Sequence, residues 1–234
     1  EYDIQCGYEA GCLGYSLYNQ LTAAGVKCVI LAPTTMLTPQ GVRIKTDMRD
    51  AYMIAQCLSY GGYHAVYIPT EADDSVKEYL RMRNDHKLAL KKIKQQINAF
   101  CIRHGFCYDG TKWTLAHLNW LKKLEITNEL YRETLDEYMA SYEEQEAKIE
   151  RYDKRIEEIA EQTKYYDKVK KLKCFLGIKT HTALSLIVET GDFERFAKGN
   201  QYASYLGLAP GENSSSDSIH RLGITKAGNS HLRQ

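Results

Sequence analysis

No apolar stretch in this sequence approaches the roughly 20 residues that a membrane-spanning helix needs, so no such span is expected. No secretory leader is visible either. A charge excess is missing too: 31 Lys and Arg against 30 Asp and Glu leave a formal net charge of +1, so bulk charge does not announce a nucleic-acid binder. CxxC pairs are absent. The seven cysteines are odd in number, and several sit in apolar runs where a free thiol behaves as a small hydrophobe. These features point to reduced thiols in a reducing cytoplasm. The chain opens at Glu1 inside what reads as a strand and stops at His231-Leu232-Arg233-Gln234 without a terminating pattern, which is expected of a fragment.

What is present is unevenly distributed charge. From Arg81 to Arg103 seven basic residues face one acid, Asp85, and from Glu129 to Lys164 twelve acids outnumber six bases. A second basic run follows at Lys164, Lys168, Lys170, Lys171 and Lys173. Local basic patches bind phosphate even where an acidic helix cancels them in the total.

Three regions follow from the pattern. Residues 1–70 read as α/β. A strand is expected over Tyr2–Cys6 and a turn between Gly7 and Gly11. A helix carrying Leu13, Leu17 and Leu21 runs to Gly25, and the compact run Val26–Leu31 suits a buried parallel strand. Thr46 can cap a helix that ends near Gly61-Gly62, and Val66–Ile68 reads as another strand closed by Pro69. Residues 71–165 read as long helices. Tyr131, Leu135, Tyr138, Tyr142, Gln145, Ile149, Tyr152, Ile156, Ile159 and Thr163 alternate by four and three, a coiled-coil-like seam whose partner is the basic helix of the same chain or a second copy. Residues 166–234 read as a second, mainly α-helical domain.

The segment Lys45-Thr46-Asp47-Met48-Arg49-Asp50-Ala51 carries the clearest chemistry. Asp47 and Asp50, three apart in a first helical turn, share one face. Two like charges there are relieved by a hard divalent cation, which takes carboxylate oxygens. Glu9, just past a strand, adds a third acid at the strand end where sites form in open α/β sheets. Such acids suit metal-assisted phosphodiester chemistry. A DxxD pair at a helix start is also favourable with the helix dipole alone.

Tyr8-Glu9-Ala10-Gly11, then Gly14-Tyr15-x-Leu17-Tyr18, then Lys45-Thr46-Asp47-x-x-Asp50-Ala51 resemble the amino-terminal domain of insertion-sequence-110 (Piv-like) transposases. Tyr205-Leu206-Gly207-Leu208-Ala209-Pro210, Ser214-Ser215-Ser216 and Gly223-Ile224-Thr225-Lys226-x-Gly228-Asn229-x-x-Leu232-Arg233 resemble that family's second, transposase domain. The resemblance implies a RuvC-like, ribonuclease-H-related fold with an Asp-Glu-Asp-Asp metal tetrad for Mg2+ (or Mn2+), in which Glu9, Asp47 and Asp50 match the last three members. Asp3 precedes Glu9 by only six residues on one segment and cannot be the first member. A chain without that first Asp is expected to be inactive alone. The resemblance further implies a serine nucleophile. Ser215 takes that position by spacing, with Ser214 the alternate because Ser216 stands where the family has Gly. His220 is a possible base for it.

DNA, a structured guide RNA and further copies of the chain joined through the long helices are implied partners, and a nucleoid-associated location goes with them. Leu176-Gly177-Ile178-Lys179-Thr180-His181-Thr182-Ala183 looks like a degenerate helix-hairpin-helix turn. Lys91, Lys94, Lys179, Lys226 and Arg233 are the candidate nucleic-acid contacts. The alternatives are a non-catalytic DNA- or RNA-binding remnant and a RuvC-like nuclease that hydrolyses without using Ser215. A weaker pattern, Cys101, His104 and Cys107, has the residue types of a zinc site, but His117 is not at a convincing spacing for a fourth ligand and core cysteines with a surface histidine explain the pattern better.

Overall fold

The structure, a computed structural model, describes residues 4–36, 46–215, 218 and 220–233. Lys45 and Ser216 lie outside the described residues. The chain forms two compact units, one of Glu1–Thr70 with Phe196–Arg233 and the other of Glu71–Arg195. The fold is mixed and mainly helical, with few strands among the described residues.

The amino-terminal part of the first unit is a β-α-β start. Strand β1 (Gln5–Glu9) pairs in parallel with β2 (Lys27–Leu31), and helix α1 (Ser16–Ala23) connects them. Tyr2 and Asp3 of the expected Tyr2–Cys6 strand lie outside the described residues; the described strand runs on to Glu9, and Gly7 sits inside it rather than opening a turn. Packing supplies the reason. A Cβ on Gly7 would meet Leu31 Cδ1 at 2.9 Å and Leu58 Cδ1 at 3.0 Å, so the glycine lets the next helix press onto the sheet.

That helix, α2 (Asp47–Tyr60), starts and stops where its sequence signals say. Thr46 Oγ1 accepts from Arg49 N at 3.4 Å, and Gly61 ends the helix in the left-handed conformation. The expected third strand is reduced to a bridge. Ala65 pairs antiparallel with Leu31, and Val66 N donates to Ile30 O at 2.8 Å, but pairing goes no further towards Pro69. The small core beneath holds Leu31, Met36 and Cys57, with Met53, Ile54, Leu58 and Tyr63 around them.

In the second unit, α3 (Glu71–Arg103) and α5 (Glu129–Ala160) lie side by side. Arg83 pairs with Asp153, Lys94 with Glu146, and Phe100 meets Tyr131, so the two helices run antiparallel. The partner of the heptad seam is thus the basic helix of the same chain. Two apolar cores fill the hairpin. One gathers Leu90, Ile97, Phe100, Leu121, Leu135 and Met139, using α4 (Leu115–Lys122) as a lid. The other joins Leu80, Ile156 and Ile159 to α6 (Tyr166–Leu172) and α7 (Thr180–Thr190). A polar belt separates them: Arg83 grips Asp153 bidentately at 2.8 and 2.9 Å, and His86 Nδ1 meets Gln145 Oε1 at 2.8 Å. The unit takes in α6 and α7.

The carboxy-terminal part of the first unit consists of α8 (Gly199–Tyr205) and an antiparallel hairpin, β3 (Pro210–Glu212) with β4 (Arg221–Ile224).

Candidate functional site

Glu9 closes β1 and is exposed, while the next residue, Ala10, donates its N–H to Leu31 O at 2.9 Å. Asp47 and Asp50 occupy the first turn of α2, as their spacing requires, with Asp47 exposed and Asp50 half-buried. Three carboxylates are the right donor chemistry for a hard divalent ion. However, no group of three or more His, Cys, Asp or Glu side chains among the described residues is arranged to hold one. One contact of α2 with β1, Leu58 at Gly7, lies eight residues beyond Asp50 and so about 12 Å along the helix axis. The acids are placed on the expected elements but are not closed into a ligand set among the described residues.

The β3–β4 hairpin carries the serines. Asn213 N donates to His220 O at 2.9 Å, and Ser215 and Ser218 exchange backbone hydrogen bonds at 3.1 Å across the tip. Ser214 Oγ donates to Glu212 Oε1 at 2.7 Å and accepts from His220 N at 3.2 Å. The His220 ring lies with Nε2 at 3.0 Å from Ser218 Oγ. Ser215 is exposed. The histidine considered as a base for Ser215 thus faces a different hydroxyl. The carboxylate beside a candidate nucleophile, Glu212, escaped sequence reasoning. Its signal was the two-residue spacing to Ser214, which puts both side chains on one side of an extended segment.

The motif around this hairpin has a packing role. A Cβ on Gly228 would collide with Tyr205 O and lie 2.6 Å from Gly207 N, so only glycine fits. Arg233 Nη1 donates to Leu206 O at 2.9 Å and to Gly228 O at 3.5 Å, tying the two glycine segments together. Lys226 N donates to Gly207 O at 3.0 Å, and its side chain is exposed.

Among the other candidate phosphate contacts, Lys91 and Lys179 are exposed. Lys94 is drawn inward. It pairs with Glu146 at 3.0 Å and stands over the rings of Trp113 and Tyr142 at 5.4 and 5.3 Å.

The zinc-like pattern is dispersed into packing. Cys101 is buried and its thiol pKa is pushed up by burial, while His104 lies against the rings of Phe100 and Tyr131. His117 Nδ1 accepts from Trp113 N at 3.1 Å, and burial, aided by nearby Lys112, lowers its pKa.

Comparison with known proteins adds a second line. The chain is 37% identical over 201 residues to the transposase for insertion sequence element IS1533 of Leptospira borgpetersenii, covering 84% of this chain and 58% of that protein. It is 33% identical over 227 residues to y4qE of Sinorhizobium fredii, a protein with a transposase designation, covering 97% of this chain and 55% of that one. A 26% match over 219 residues joins it to the transposase for IS1111A of Coxiella burnetii, covering 86% of this chain and 57% of that protein. Residues 169–234 match the model of the transposase IS116/IS110/IS902 family. The chain belongs to this family. It spans rather more than half the length of the curated relatives it matches. The part that matches the IS116/IS110/IS902 family model holds the end of α6, α7, α8 and the serine hairpin, while the acids are reached only by the longer pairwise alignments. Among the described residues, no helix of this transposase-family chain is long and apolar enough to cross a membrane.

Proposed function

We propose that the chain is part of an insertion-sequence transposase that, when full length, cuts and rejoins DNA. In this reading residues 1–70 are part of a RuvC-like catalytic domain. Glu9, Asp47 and Asp50 contribute carboxylates for Mg2+ or Mn2+, which would supply charge neutralisation at the scissile phosphate. Ser215, with Ser214 as the alternate, is the nucleophile. DNA is the substrate, a structured RNA encoded beside the gene guides it, and further copies assemble through the long helices. The observation that carries the reading is the alignment of 97% of the chain to a relative with a transposase designation at 33% identity.

Within the hairpin the described proton acceptor stands beside the alternate, Ser214. A serine is weak unless a neighbouring group takes its proton, and Ser214 already donates to the Glu212 carboxylate at 2.7 Å. Glu212 can hold Ser214 by that bond while Ser215 stands exposed beside it. A second reading, DNA binding without cutting, is favoured by the open arrangement of the three acids.

The test is strand joining by the full-length protein on its own element DNA. Ser215→Ala is expected to abolish the covalent protein–DNA adduct while leaving DNA binding intact, and Asp47→Ala to abolish cleavage. Recombination that survives both Ser215→Ala and Ser214→Ala removes the serine role. A wild-type protein that binds and never cuts selects the second reading.

A further inference from the structure

Between α6 and α7 the chain makes a short turn whose outermost residues are apolar. Phe175 is 64% exposed and Leu176 fully so, at 106%. The turn is not loose. Phe175 N donates to Leu172 O at 3.2 Å, Ile178 N donates to Phe175 O at 3.1 Å, and Gly177 takes a left-handed φ of 89°. On either side Leu172 and Ile178 pack against a buried core that includes Val169 and Leu184. Two anchored neighbours therefore hold Phe175 and Leu176 out in water, where the hydrophobic effect favours covering them.

The surroundings say what kind of molecule covers them. Lys168, Lys170, Lys171 and Lys173 precede the tip and Lys179 follows it, all exposed. Asp167 is the sole acid from Tyr166 to Val188. Among the described residues none of these five lysines forms an ion pair. An apolar point inside a cationic collar fits a polyanion with an apolar interior. In a nucleic-acid duplex the phosphates lie outside and the stacked bases within.

We propose that this turn is a wedge that enters the base stack of duplex DNA. The lysines hold phosphates on both sides, and Phe175 and Leu176 press into one base step and open it. Two apolar side chains at a point suit a gap between base pairs better than a membrane surface, which selects for an extended amphipathic face. The proposal rests on the reading of the chain as a DNA-handling protein, and it assigns to the turn a deformation of the duplex rather than a phosphate contact.

The experiment uses the whole chain with a duplex carrying 2-aminopurine at successive positions, read by fluorescence while binding is measured over a salt series. Wild-type protein is expected to raise the fluorescence at one base step severalfold. Phe175→Ser with Leu176→Ser is expected to lose that rise and keep the salt dependence. Lys171→Ala with Lys173→Ala is expected to reduce the slope of log K against log salt by about 2. Both serine substitutions lie at exposed positions, so an unchanged thermal melt is expected to confirm that the variant folds. Duplex binding with a lysine-dependent slope but no fluorescence rise overturns the wedge and leaves the proposed function standing. So does a rise that survives the double serine variant. No duplex binding at low salt overturns both. Tip-dependent binding to vesicles of phosphatidylserine and phosphatidylcholine, without a base signal, reassigns the turn to a lipid surface and overturns the wedge.

Discussion

In residues 71–195 two helices of 33 and 32 residues bury apolar side chains along most of their length, in two cores with a polar belt between them. In the described part of residues 1–70 the buried apolar set is Ile30, Leu31, Met36 and Cys57. There α1 buries no residue, and Leu13 and Leu17 remain exposed. A parallel pair of strands is ordinarily covered on both faces, and here Met53, Ile54, Leu58 and Tyr63 pack against the small core around Leu31. The two regions divide the work accordingly. The hairpin has the burial to hold its shape, whereas the candidate acids stand on the sparsely buried α/β part, the kind of region that opens first.

The largest expected effect breaks the comparison on its strong side. Leu135 is wholly buried in the core shared by α3, α4 and α5. Leu135→Ala is expected to cost about 4 kcal/mol through lost burial and a cavity, measured by chemical denaturation. Hydrogen exchange locates the loss. Protection should fall in α3 and α5 and stay as it was in β1 and β2. If the strands lose protection equally, the two regions unfold as one and the contrast between them is wrong.

A smaller effect sharpens the same side. Arg81 grips Glu189 bidentately at 2.7 and 2.9 Å, tying α3 to α7. The Glu189 side chain is 5% exposed and that of Arg81 33%. Arg81→Met is expected to cost about 2 kcal/mol, less than for a fully buried pair because solvent reaches the guanidinium. Adding Glu189→Leu should recover much of that loss in a double-mutant cycle. No recovery would mean that the pair contributes little to the hairpin.

Much of this architecture was legible because its signals are local. Thr46 and Gly61 bound α2, and the four-three spacing from Tyr131 marks α5 to within two or three residues at each end. What was not legible depends on tertiary register. Gly7 reads as a turn residue, yet it lies inside a strand because Leu58 needs the space. Leu176 reads as part of a helix-hairpin-helix-like turn, and its full exposure is set by the packing of its neighbours. Lys94 and Arg233 also make internal contacts that no spacing announces, one with Glu146 and the other with Leu206 O. For the acids, sequence places each residue on its element, but their separation is set by where α2 sits on β1, and no spacing encodes that. Glu212 was silent because an exposed acid on a short strand is usually only solvated.

The smallest effect belongs to the weak side. Thr46 caps α2 with one long hydrogen bond, and Asp47 and Asp50 sit in the turn that this bond organises. Thr46→Ala is expected to cost about 1 kcal/mol, felt as faster amide exchange in the first turn of α2 and not in α3 or α5. Thr46→Ser keeps the acceptor and should restore the protection. The position matters beyond its size, because a frayed first turn releases both aspartates from a common face. A cap variant that leaves exchange at Arg49 and Asp50 unchanged would show that the tertiary seat of α2, rather than its cap, holds the acids in place.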